Sequence, residues 1–275
     1  MSSTETLAHE RSAIGEGLAR RSYLDVFEAS PREVRQALGW RCEEVGGAIA
    51  SIASKSTSIL MNRTMDIGTA EPAAPFQVAE IARRYGEAGV GRYFVTVSPH
   101  ARPPEIRDWL MQQGLVAQRR WMKFERDMRP AQPARSALRV ARIEARHALE
   151  FGRIIAHGFD MGEAAAGMFP PLVGRAGWHL FGAFDGDALA GAGVLYVEGP
   201  FGYFPFGATA PAHRRKGAQS ALLAARIEAA RELGCDALFT ETGEEVPGDP
   251  QHSYHNIERA GFKPSYLVDN YAPPR

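Results

Sequence analysis

The sequence predicts an α/β fold made of two halves of similar plan. Three observations carry that expectation. Stretches with strand alternation and stretches with helical periodicity follow one another along the whole chain. Residues 129–136 hold Pro130 and Pro133 with small and polar residues and no large apolar one, as a linker does. Each half also closes alike: residues 109–115 and 257–262 both read as a short helix, a glycine, a large apolar residue and then a strand. The chain has 275 residues, of which 45% are apolar and 23% charged, enough for two folded domains of ordinary size. The expected division is 1–128, a linker at 129–136, and 137–275.

The elements can be justified in order. Residues 1–12 are polar and expected to be loose. Residues 18–40 read as helix in two pieces, divided at Ser30-Pro31-Arg32-Glu33 by a serine cap and a proline at the first helical position. Residues 48–60 fit a strand pair, and 62–75 a loop with Gly68, Pro72 and Pro75. Val78, Ile81, Ala82 and Tyr85 recur at helical spacing and predict a helix over 76–87. Residues 93–97 and 121–124 read as strands. Between them Pro103-Pro104 opens a helix that Gly114 stops. In the second half the expectations are a strand at 138–143, a helix at 145–159, and a helical stretch at 161–174 interrupted by Pro170-Pro171. A hairpin of 178–184 and 188–197 then turns through Asp185-Gly186-Asp187. There follow a strand at 201–209, a long helix at 218–233, a strand at 237–240, a short helix at 253–260 and a last strand at 262–271.

Formal net charge is zero, which argues against a surface given over to nucleic acid or an anionic membrane. Cys42 and Cys235 are the two cysteines, too few and too far apart for a disulfide framework, and read as reduced and structural. The first residues carry no apolar leader, and no apolar run approaches the roughly 18 residues that span a bilayer. The expected location is the cytoplasm.

Chemistry concentrates at residues 206–220. Pro211 ends a strand by removing a ladder donor. Arg214, Arg215 and Lys216 are consecutive cations, and Gly217 and Ala218 let backbone approach a ligand where a helix starts. The first helical N–H groups have no intrahelical partner and, with the helix dipole, suit an anion such as a pyrophosphate. A solvated basic turn is the competing reading of the same residues. No Gly-x4-Gly-Lys-Ser/Thr loop is present, and Gly191-Ala192-Gly193 lacks the third glycine of a dinucleotide fingerprint. Arg226 falls within the apolar arc of the following helix and must snorkel, pair with an acid or face a ligand.

Pro211-x-x-Arg214-x-x-Gly217-x-Gln219, the helix that follows it, and Asn256-Ile257-Glu258-Arg259-Ala260-Gly261-Phe262 resemble the acyl-CoA signature and the Asn…Gly-Phe segment of the GNAT superfamily of N-acetyltransferases. The resemblance covers residues 137–271. It implies a mixed, mostly antiparallel sheet flanked by helices, with acetyl-CoA as co-substrate and no metal. It also implies direct acetyl transfer to a primary amine in a ternary complex, the amine borne by a small molecule or a protein; a homodimer is compatible with it. Backbone amides at Arg214, Arg215, Lys216, Gly217, Ala218, Gln219 and Ser220 would hold the pyrophosphate. Backbone at Ala208 and Thr209 would meet the pantetheine and polarise the thioester, and Asn256 would reach the pantetheine. Two residues depart from the family pattern: Gln219 stands where Gly or Ala is usual, and Ile257 where many members carry a tyrosine that protonates the thiolate. Tyr254, Ser253 or a water is then a candidate acid, with nothing in the sequence selecting one, and Glu241, at a strand end, is a candidate base. The N-terminal half, through Met61-Asn62-Arg63, Arg92-Tyr93-Phe94-Val95 and Trp121…Phe124-Glu125-Arg126, resembles the degenerate first domain of tandem GNAT proteins and has no basic loop. The alternative function is a CoA-binding sensor or interaction module without turnover. His252 and His255 lack a third metal ligand at matching spacing and read as solvent-facing or capping.

Overall fold

Good helix formers at Glu5, Leu7, Ala8 and Glu10 extend the first helix well upstream of where residues 1–12 were expected to be loose. In the computed structural model, which describes residues 3–274 and the side chains of 10–274, α1 runs over Ser3–Ala29. Met1 and Ser2 lie outside the described residues. The division before α2 (Arg32–Leu38) is as read, but its chemistry differs. The Ser30 hydroxyl donates back to the Val26 carbonyl at 2.7 Å, and Pro31 precedes the helix instead of opening it.

β1 (Trp40–Val45) and β2 (Ala48–Ala53) form a hairpin through Gly46 and Gly47, both at positive φ. The strand pair therefore starts upstream of the expected 48–60, which holds only its second strand and then irregular backbone and turns. β2 is buried at every position, so it shows no alternation to read. The loop expected at 62–75 contains β3 (Arg63–Met65). Then come α3 (Pro75–Glu87), β4 (Phe94–Val97), α4 (Ile106–Gln112) and β5 (Val116–Arg126). Irregular backbone over 127–138 leads to β6 (Arg139–Arg142), a 3-10 turn and α5 (Ala148–Gly158). The stretch 161–174 is two 3-10 segments, Glu163–Met168 and Pro170–Leu172, since the double proline denies a longer helix its amide donors. β7 (Trp178–Asp185) and β8 (Ala188–Glu198) form the expected hairpin. The strand expected over 201–209 is two, β9 (Phe201–Phe204) and β10 (Gly207–Thr209). α6 (Ala218–Glu232), β11 (Ala237–Gly243), α7 (His252–Arg259) and β12 (Lys263–Ala272) complete the chain.

All the strands join one mixed, mostly antiparallel sheet in the order β1-β2-β3-β4-β12-β5-β11-β9-β8-β7-β6, with β10 beside β8. β12 inserts between β4 and β5, and β5 pairs on its other edge with β11. One core cluster brings Leu18, Tyr23 and Val26 of α1 together with Phe151, Ile155 and Phe169, so both halves share it. A second packs Leu222, Leu223 and Ile227 of α6 with Tyr254 and Ile257 of α7, and a third packs Val78, Ile81 and Tyr85 of α3 with Ile106 and Leu110 of α4. Among the described residues no helix is long and apolar enough to cross a membrane.

Candidate functional site

The site begins at a broken strand. Pro205 has no N–H to give a ladder, and the chain leaves the sheet there. Before the break, β9 pairs with β8 and runs parallel to β11 up to Phe204↔Thr240. After it, β10 pairs with β8 alone among the described strands, while the rest of β11 stays on β5. The two therefore diverge and leave an open edge. Val194 N–H donates to Phe206 O, and Ala210 N–H donates to Ala190 O, both at 2.9 Å. Antiparallel alternation then turns Ala208 toward β8 and turns the N–H and C=O groups of Gly207 and Thr209 to the open edge. Thr209 thus turns its main-chain groups to the open edge, and so does Gly207, which the sequence reading did not single out although two-residue periodicity back from Thr209 points to it; the main chain of Ala208 belongs to the ladder with β8.

Arg226 holds the break from behind. It reaches from α6 to donate to Leu222 O at 3.0 Å, Val194 O at 3.0 Å and Phe206 O at 3.1 Å, with its guanidinium 4.4 Å from the Phe204 ring centroid. It does not snorkel, and no acid pairs with it among the described residues; main-chain carbonyls satisfy it. Burial without a counter-ion pushes its pKa down to about 9. Glycine at 193 is needed for this reach, since a Cβ there would stand 3.0 Å from Arg226 Nε.

Beyond β10 the chain makes a 3-10 turn, Pro211–His213, and then the basic loop. Arg215 and Gly217 are both left-handed, at φ 65° and 80°, which turns neighbouring N–H groups toward a common side. The first helical bond of α6 is Ala221 N–H to Gly217 O. Among the described residues no acceptor meets the N–H groups of Lys216 through Ser220. Arg214 and Arg215 are exposed. Lys216 is exposed too, yet its ammonium donates to Asp185 at 2.6 Å, and His213 meets the same oxygen at 3.0 Å. These partners, Lys216 first, hold the Asp185 carboxyl below its ordinary range. Residues 135 and 136 lie against the loop: Ser136 donates to Lys216 O at 2.8 Å, and a Cβ on Gly217 would come 2.9 Å from Arg135 O. Gln219 and Asn256 bind each other, Asn256 Nδ2 donating to Gln219 Oε1 at 2.5 Å. The unusual glutamine thus joins α6 to α7.

On the far side of the break is a cavity walled by α1, β3 and the 161–168 segment, with Tyr203, Phe206 and Glu241 on its sheet side. Glu241 stands directly opposite Lys123 in the β11–β5 register and forms an ion pair with it. Its other oxygen takes Arg63 Nη1 at 3.3 Å. Burial alone would raise the Glu241 pKa, but the Lys123 and Arg63 charges prevail and hold it at about 2. The folded value lies below the unfolded one, so these pairs contribute stability in full above about pH 4.5, and it is lost as pH falls toward 2. A carboxylate held so low is a weak proton acceptor. Tyr254 lies in the core beneath α7, its ring 4.9 Å from that of Phe124, and burial raises its pKa. It does not line the cavity with Glu241. Ile257 is buried in the same core. His255 lies within 3.4 Å of both Glu245 and Glu258. Both thiols are free, and burial pushes Cys42 up to about 12.

Residues 153–262 match the model of the acetyltransferase (GNAT) family. They form a GNAT acetyltransferase domain. Its span runs from α5 through the open edge and the basic loop to the end of α7. The whole fold is similar to a GCN5-related N-acetyltransferase from Kribbella flavida, with TM-score 0.65 and 14% identity over 95% of this chain and 96% of that one. It is also similar to a tandem GNAT protein from the clavulanic acid biosynthesis pathway, with TM-score 0.54 and 17% identity over 96% and 95%. A GCN5-related N-acetyltransferase from Sphaerobacter thermophilus gives TM-score 0.58 and 10% identity over 86% and 82%. No curated protein matches the sequence.

Proposed function

We propose that this protein is an acetyl-CoA-dependent N-acetyltransferase acting on a small primary amine by direct transfer in a ternary complex. One observation carries the reading. The outward main-chain groups of Gly207 and Thr209 lie immediately ahead of the unpartnered amides of Lys216 through Ser220. The first pair would take the pantetheine and the second the pyrophosphate, with Arg214 and Arg215 adding charge. Gly207 N–H at the break would polarise the thioester carbonyl, a contribution of about 3 kcal/mol for one well-placed donor. The amine would enter through the cavity beside Phe206 and Glu241.

In the transfer the amine nitrogen forms the new C–N bond and the C–S bond breaks. The proton the nitrogen sheds goes to water, and the thiolate takes one from water. Glu241, tied to Lys123 and Arg63, shapes the cavity rather than accepting that proton. Acetyl-CoA with a panel of amines, followed by thiol release and product mass, tests the reading. The rate as a function of pH should track the amine's own titration. Absence of CoA binding by calorimetry would overturn it. The burial of both Ile257 and Tyr254 favours a second reading, a CoA-binding sensor, which tight CoA binding without turnover on any amine would select.

A further inference from the structure

Residues 127–138 have no regular structure, yet they are tied down along α6 and run against its direction. Three hydrogen bonds hold them. Arg231, near the end of the helix, donates to Met128 O at 3.0 Å. Glu228, about one turn earlier, accepts Ala131 N–H at 2.6 Å. Ser136 reaches Lys216 O at 2.8 Å, just ahead of the helix start. Met128, Ala131 and Leu138 also pack on the core cluster that α6 shares with α7. The segment therefore fixes where Ser136 stands against the basic loop. Its hydroxyl is engaged as donor and as acceptor: it gives its proton to Lys216 O and takes Leu138 N–H at 3.2 Å.

One peptide decides what the loop can bind. The bond between Lys216 and Gly217 is trans, so its C=O and N–H point in opposite directions. Ser136 holds that C=O toward the 127–138 segment. The Gly217 N–H must then face away from the segment, among the unpartnered amides of Lys216 through Ser220. Sterics do not fix this choice. Glycine accepts φ of either sign, so the peptide can turn over with no Cβ at 217 to oppose it. Turned over, it would present a carbonyl oxygen to a phosphate in place of an amide. The other tie on Lys216, its ammonium on Asp185, holds the side chain and not the peptide. We infer that Ser136 is a positioning residue for the pyrophosphate: its hydroxyl holds the 216–217 peptide with the N–H toward the ligand, so the loop is set before the ligand arrives. This rests on the proposed CoA-binding reading of the loop. It adds to that reading a residue outside the 153–262 family match, one that acts through the peptide and touches no ligand itself.

The test compares the full-length protein with Ser136→Ala, which removes the donor, and Ser136→Thr, which keeps it. Calorimetry with CoA should show affinity about fivefold weaker in Ser136→Ala, the worth of one hydrogen bond, and within about twofold of the unaltered protein in Ser136→Thr. With an accepted amine, KM for acetyl-CoA should rise by the same factor in Ser136→Ala at unchanged kcat. In the same variant kcat/KM for acetyl-pantetheine, which has no pyrophosphate, should not move. A general loss of structure would lower the rate with both donors together, and threonine would not restore it. The inference is overturned by equal CoA affinity in the unaltered protein and Ser136→Ala, by failure of threonine to restore a loss, or by an equal loss on acetyl-pantetheine. Each of these can occur while CoA binding and transfer by the unaltered protein stand. Conversely, tight CoA binding without turnover that weakens in Ser136→Ala would support the positioning role and remove the transferase reading. Absence of CoA binding by the unaltered protein would remove both.

Discussion

Residues 66–74 carry β3 into α3, and residues 210–217 carry β10 into α6. Both connections leave a three-residue strand and enter a helix on the sheet's surface. In the first, the chain consumes its own donors. Gln77 Oε1 accepts Ala74 N–H at 2.7 Å, Ala73 N–H goes to Arg102 O at 2.7 Å, Arg102 N–H goes to Gly68 O at 2.8 Å, and Pro75 at the helix start has no N–H. Gly68 permits this closure, since a Cβ there would fall 2.5 Å from Arg102 O. In the second, the run from Lys216 to Ser220 keeps its N–H groups unspent, and cations stand beside them. A strand, a turn and a helix are thus insufficient for an anion site. The amides must also lack partners in their own chain.

That contrast can be broken most severely at Gly217. Gly217→Val would place a branched side chain at φ 80° and 2.9 Å from Arg135 O, so the loop must shift. CoA affinity should fall about a hundredfold by calorimetry, equivalent to about 3 kcal/mol. Arg226→Met comes next. It strips donors from Val194 O and Phe206 O, and should lower stability by about 2 kcal/mol in urea unfolding while raising KM for acetyl-CoA. On the other connection, Gln77→Ala frees the Ala74 amide. It should cost about 1 kcal/mol of stability and leave CoA affinity unchanged. The smallest effect is expected from Asp185→Asn, which releases Lys216 toward the loop. CoA should bind about threefold more tightly at low salt, with the gain vanishing at high salt.

The basic loop was legible because its three cations and its glycine are consecutive and its proline stands just before them, so local chemistry alone marks it. The helix at 76–87 and the hairpin through Gly186 were legible for the same reason. The break in β9–β10 was written in Pro205, but a run of aromatics on either side reads as one continuous strand. The β1–β2 turn was likewise written in Gly46-Gly47, and the fully buried β2 gives no alternation to set its limits. Of the cavity's polar wall only Glu241, at a strand end, was legible, and its partners were not. Lys123 meets Glu241 only because β5 and β11 pair across the two halves, Arg63 reaches the same carboxylate from β3, and no short-range pattern reports contacts between strands so distant in sequence. Arg226 was singled out, but its partners escaped for a related reason: they are carbonyls of neighbouring strand segments and of its own helix, and main-chain acceptors leave no residue-type signal.

β12 has a consequence of timing. It fills the gap between β4 and β5, with Asp269 opposite Val97 and Lys263 opposite Glu125. During synthesis every other strand of that sheet leaves the ribosome before the one that completes it. Until then β4 and β5 each present a naked edge, a template for any passing strand. The first half of this molecule therefore cannot finish folding ahead of the second, although its own segment is made earlier. Its maturation is gated by the arrival of residues 263–272, and a nascent chain stalled before them would be the form most exposed to aggregation.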